Sequence, residues 1–177
     1  MKPHKPVLAD FLAPELLVLF VGINPGLRSA AVGHHFAGPS NRFWKLLYAS
    51  GFIPEPLTYL DDWRLPEWGI GLTNVIGRAT AGIDGLATEE YRRGRMALER
   101  KVAQSRPRIV ALLGVTIYRL LFPSEAGTSD RVPLGPVEVR LAETPVFVLP
   151  NPSGRNAHYS YEQMLRAFRR LRGTIAP

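Results

Sequence analysis

Three short segments of this 177-residue chain carry the residues best suited to chemistry: Gly22-Ile23-Asn24-Pro25-Gly26, Gly82-Ile83-Asp84-Gly85 and Asn151-Pro152-Ser153-Gly154-Arg155-Asn156. Pro25 fixes its own φ and holds Asn24 extended ahead of a turn, because a residue before proline avoids the helical region. Gly22 and Gly26 would let backbone amides approach a ligand closely. The same composition also ends strands in ordinary turns, so the segment alone leaves both readings open. It lacks the Gly-Lys-Ser/Thr ending of a Walker loop and is not a GxGxxG fingerprint, which argues against a nucleotide-triphosphate site.

Other chemistries are bounded by what the chain lacks. It has no cysteine, which removes disulfides, thiolate catalysis, cysteine-ligated zinc and iron–sulfur clusters. Its histidines are His4, His34, His35 and His158, and the adjacent pair His34-His35 does not form a ligand pair on one helix face, so no zinc site is expected. Phe36, set between Gly33 and Gly38, is a candidate stacking surface; the alternative is an aromatic folded onto the core. Arg155 and Asn156 sit at a glycine-containing loop tip, where they would either reach phosphates or bases or be solvated.

The charge balance points to a partner. Of 22 basic residues four are lysine, leaving 18 arginines, and the formal net charge is +7. Arginine's planar fork suits phosphates and base edges, so a polyanion is a natural ligand, although a G+C-rich genome would raise arginine as well. Arg166, Arg169, Arg170 and Arg172 in the last helix read as a solvated face. No apolar stretch approaches the roughly 20 residues of a membrane span, and the first residues lack the apolar core of a signal peptide. Cytoplasmic location is therefore expected.

The elements that must position these segments follow from periodicity. Apolar runs at 16–23 and 109–115 read as buried strands, 68–76 and 146–150 read as further strands, and 137–141 alternates like an edge strand. Helices are expected at 43–50 (capped by Ser40 or Asn41 and ended by Gly51), 88–105 (capped by Thr88), 116–122 and 159–172. Residues 24–40 read as one long loop, and 53–67 and 123–136 as irregular connections. Strands alternating with helices predict a single α/β domain over 1–177, with an N-terminal extension at 1–15. Its architecture is a three-layer α/β/α sandwich around a mainly parallel sheet. Ligands bind such sheets outside the carboxyl ends of the strands. All three candidate segments follow expected strands, so they should converge on one cleft.

Together these motifs are recognisable. GINPG with GHHFAGPSNRFWK, then GLTNVIGRAT, RPRIVALLG and VLPNPSG, resemble the mismatch-specific uracil/thymine-DNA glycosylases, a branch of the uracil-DNA glycosylase superfamily, over about residues 16–172. The resemblance implies a monofunctional hydrolase of base excision repair that needs no metal and no organic cofactor. It would remove uracil flipped out of double-stranded DNA, best from G·U mispairs, with G·T and modified cytosines as further substrates. It also implies roles residue by residue. Asn24 positions the attacking water, Phe36 stacks on the flipped base, and amides near Ile23 and Phe36 meet the base carbonyls. Ser29 lines the wall facing C5. Ser153 opens the loop that enters DNA, Arg155 falls at the wedge, and Gly154 and Asn156 face the widowed guanine. Many relatives place leucine at the wedge, and arginine departs from them.

An amide orients water but cannot take its proton. Asp84, between Gly82 and Gly85 on the expected active edge, is the candidate carboxylate to assist, with a simple Asx-turn as the alternative. Schiff-base lyase chemistry needs an amine, and Lys2, Lys5, Lys45 and Lys101 all lie outside the site loops. A monomer is expected. The rival readings are a mismatch-binding module without catalysis and an enzyme acting on free nucleosides.

Overall fold

The computed structural model describes residues 7–129 and 132–176. Residues 1–6 of the expected extension, with Lys2, His4 and Lys5, lie outside that range, as do 130 and 131 of the expected 123–136 connection.

Four short apolar runs form parallel strands: β1 (Val18–Gly22), β2 (Ile70–Asn74), β3 (Ile109–Leu113) and β5 (Thr144–Leu149). β4 (Gly135–Leu141) pairs antiparallel with β5 at the sheet edge, as its alternating pattern predicts, and the order is β2-β1-β3-β5-β4. The chain therefore steps from β1 to β2 in one direction and returns past β1 to β3 in the other. Right-handed crossovers then place the intervening helices on opposite faces. One face carries α2 (Phe43–Ala49) and α6 (Tyr161–Ile175), which meet in an aromatic cluster. There the Phe20 ring of β1 packs edge-on to Phe43 at 5.4 Å and stacks on Phe168 at 6.0 Å. The other face carries α3 (Thr88–Ser105) and α4 (Val115–Leu121), which bury Leu98, Val102, Ile117 and Leu121. The result is the expected three-layer sandwich.

Four expectations need correction. Residues 24–40 are not one loop: α1 (Leu27–Val32) forms between Gly26 and a left-handed Gly33. It buries only Ser29 and Ala30, so it lacks the stripe of large apolar residues that marks a helix in sequence. The 53–67 connection holds a 3-10 segment, Tyr59–Trp68, opened by a capping box in which Asp61 Oδ2 accepts the Thr58 N–H at 2.9 Å. Thr88 is the first residue of α3 rather than its cap; Glu90 instead reaches back to the Ala87 N–H at 2.8 Å. A further short helix, α5 (Pro123–Ala126), lies in the connection after α4. Before β1, Phe11 makes a two-bond antiparallel bridge to Leu72, so the end of the expected extension is docked on β2.

Candidate active site

β1 and β2 stay paired after the sheet ends. Val75 N–H donates to Gly22 O at 2.9 Å, Ile76 N–H to Ile23 O at 2.8 Å, and Thr80 N–H to Pro25 O at 3.3 Å. This lays the loop at 75–87 alongside Asn24, whose carboxamide NH2 donates to Arg78 O at 2.9 Å and to Thr80 Oγ1 at 2.8 Å. Arg78 O can only accept, which fixes the amide's orientation. Thr80 Oγ1 passes its own proton to Gly82 O at 2.7 Å. Both Asn24 N–H groups are thus committed, and Oδ1 is left as an acceptor. Arg78 is anchored in turn by a two-pronged bond to Glu90, each prong 2.9 Å, and by donation to Gly85 O at 2.7 Å. That guanidinium, followed by the Ala87 N–H, holds the Glu90 carboxyl down at about 2.

The segment after α1 is built around a buried carboxylate. Asp62, 1% exposed in the 3-10 segment, accepts the His35 N–H at 2.8 Å through Oδ2 and meets His34 Nδ1 at 2.9 Å through Oδ1. His35 is buried, and its Nε2 lies 2.7 Å from Ala9 O, which requires the proton on that nitrogen. Burial pushes the His35 pKa below its ordinary 6.5. Two residues on, Ala37 donates its N–H to Ser29 Oγ at 3.1 Å and accepts from Arg28 Nε at 2.8 Å. Phe36 lies between these ties at φ +53°, half-buried. Its ring stacks on Phe43 with centroids 4.1 Å apart, and its N–H has no partner among the described residues. Phe36 therefore rests on the core through Phe43 while its side chain stays half-buried.

The loop after β5 is braced from α2. Arg42 donates widely to it: its N–H goes to Pro152 O at 2.9 Å, and its Nη2 to Ser153 O and Asn156 O at 3.0 and 3.1 Å. Asn151 Oδ1 accepts the Ser153 N–H, and Asn156 Nδ2 donates to Asn151 O, both at 2.9 Å. Gly154 presses so close to Ser40 that no side chain fits there. Arg155 is exposed, and its Nη1 reaches Ala81 O at 3.2 Å. The three loops thus meet at the carboxyl edge of the sheet, the first joined to the second through Asn24 and the third to both.

Residues 9–172 match the uracil DNA glycosylase superfamily. The chain belongs to that superfamily. It is a DNA glycosylase, a hydrolase whose substrate is DNA. The fold is likewise similar to a solution NMR structure of a candidate uracil DNA glycosylase from Methanosarcina acetivorans. The two are 21% identical, with a TM-score of 0.62 over 95% of this chain and 98% of that one.

Within this superfamily member the expected residues fall into two groups. Asn24, Ile23, Phe36, Ser153, Gly154, Arg155 and Asn156 lie in the joined loops, and Ser29 lies in helix α1 between the two halves of the first. Ser29 is buried, with its hydroxyl engaged by Ala37. Asp84 sits in the short 3-10 turn Ile83–Gly85, exposed, and makes no hydrogen bond or ion pair among the described residues; it does not form an Asx-turn. Thr80, Arg78, Glu90, Asp62 and Arg42 escaped the sequence reading. Arg78, Thr80 and Arg42 lie within quoted motifs without a role read for them, and Asp62 follows the Thr58-x-x-Asp61 box that starts its segment.

Proposed function

We propose that this protein is a monofunctional glycosylase that hydrolyses the N-glycosidic bond of uracil flipped out of duplex DNA, best from G·U mispairs. G·T and modified cytosines are further substrates. The observation that carries the reading is the fixed carboxamide of Asn24. With both N–H groups held by Arg78 and Thr80, Oδ1 accepts a hydrogen bond from water and turns the water's lone pair toward C1′. As the bond breaks, the sugar gains positive charge and the base departs as an anion. The unpaired Phe36 N–H and the amide near Ile23 stabilise that anion as an oxyanion hole does, while DNA phosphates favour the cationic sugar. Water's oxygen joins C1′ and its proton is released, with the Asp84 carboxylate assisting. Phe36 stacks on the extruded base, and Ser29 shapes the wall at C5. Arg155 fills the vacated position in the helix, and Gly154 and Asn156 face the guanine left behind. Flipping costs a few kcal/mol and least at a mismatch, which favours G·U over A·U.

The test is a labelled duplex with one central G·U pair, incubated with excess protein in EDTA and then treated with alkali. Strand breakage only after alkali is expected, faster for G·U than for A·U. An intact strand from folded protein that still binds mispaired DNA would replace this reading with a binding module.

A further inference from the structure

The arginines of this chain divide by how they are held. On α3, Arg92 and Arg93 both pair with Glu89, and Arg95 pairs with Glu99. On α6, Arg166 and Arg170 have no acidic partner among the described residues. They sit one turn apart on the same helix face, about 6 Å along the axis. Both line a cleft of about 290 Å³ between α6 and the start of β4, with Tyr159, Gln163, Gly135 and Phe147 among its other walls and no carboxylate in its lining. The Arg170 guanidinium lies over Gly135, and its single hydrogen bond among the described residues is a long 3.4 Å from Nη1 to Leu134 O.

Position gives this cationic cleft its meaning. Gly135 pairs with Val148 near the carboxyl end of β5, so the cleft opens at the same sheet edge as the three loops. Tyr159 is three residues beyond Asn156 in the loop that Arg42 braces. The cleft therefore lies beside the proposed lesion-entering loop and runs down the flank of α6, with the exposed Glu162 one turn before Arg166.

We propose that Arg166 and Arg170 form a phosphate subsite for the DNA strand flanking the lesion, extending the interface beyond the 151–158 loop. This rests on the DNA-directed reading above. Each guanidinium takes one backbone phosphate, and Tyr159 closes the end of the cleft nearest the loop. The contact is independent of base sequence and adds affinity through counterion release.

The experiment is a salt titration of binding to a uracil-free duplex by wild type, R166A/R170A and a control, R100A/R108A. The control removes the same charge from exposed residues of α3 and the opposite sheet edge. The slope of log K against log salt is expected to become shallower by roughly 1 to 2 in R166A/R170A, about 0.9 per lost phosphate. It should stay unchanged in the control and be restored by R166K/R170K. Equal slopes in wild type and R166A/R170A, or the same shift in the control, would overturn the subsite. Because the duplex holds no uracil, failure of base excision leaves this result intact. Excision with an unaltered slope would remove the subsite alone.

Discussion

Asn24 Nδ2 lies 2.8 Å from Thr80 Oγ1, and that hydroxyl donates onward to Gly82 O at 2.7 Å. The threonine thus acts as a relay that tells the amide which way to face. Thr80→Val keeps the shape and removes the relay. Single-turnover excision of uracil is expected to fall roughly tenfold, the worth of one oriented hydrogen bond at about 1.4 kcal/mol. Asn24→Ala should lose about 100-fold or more, with binding of the lesion duplex little changed. Full activity in both variants would place water orientation elsewhere.

The other grip on Asn24 comes from Arg78, which depends on Glu90. A carboxyl held at about 2 against an ordinary 4.5 contributes stability that is complete above 4.5 and lost as pH falls through 2. The stability difference between wild type and Glu90→Gln should therefore be constant from neutral pH down to about 4.5 and vanish near 2. Chemical denaturation across that range measures it. A difference that disappears already at pH 6 would contradict the pairing.

His35 predicts a separate acid effect. Its pKa is lowered by burial, so above 6.5 both folded and unfolded forms are neutral and nothing is lost. As pH drops below 6.5 the unfolded chain takes up a proton that the folded one resists, and stability declines. His35→Gln should flatten this part of the curve between pH 7 and 5, whatever it does to stability overall.

Asp62→Ala would leave the buried His35 N–H without an acceptor. The expected loss is about 1–3 kcal/mol, which at this chain length lowers Tm by roughly 2–4 °C per kcal/mol. Asp62→Asn should cost less, since its oxygen still serves one of the two partners. Differential scanning calorimetry of both variants decides between a clamp and a dispensable side chain.

Asp84 stands apart from the hydrogen-bonded frame, so its removal tests chemistry rather than architecture. Asp84→Ala is expected to keep the wild-type Tm and slow excision several-fold. Wild-type rates would end its assignment to catalysis.

The sheet was readable because its strands are runs of large apolar residues, and buried parallel strands need little else. The convergence of the loops followed from their place after those strands. Phe36 was legible as a type of residue in a type of loop. What escaped was everything defined by contacts between distant segments. Asp62 is one acid among 15 until the fold brings it under His34 and His35. Thr80 looks like any loop threonine until it meets Asn24, 56 residues away. Helix α1 escaped for another reason: six residues that bury only Ser29 and Ala30 carry no periodic signal.

Arg42 ties three backbone carbonyls of the 151–156 segment to the start of α2. A segment held that way before it meets a ligand has little chain entropy left to surrender on contact. On the proposed reading, in which this segment enters DNA, the time spent at each base pair is then governed by how readily the duplex yields, not by how long the protein takes to arrange itself. Weakly paired positions give way first, so a stiff probe is a selective one.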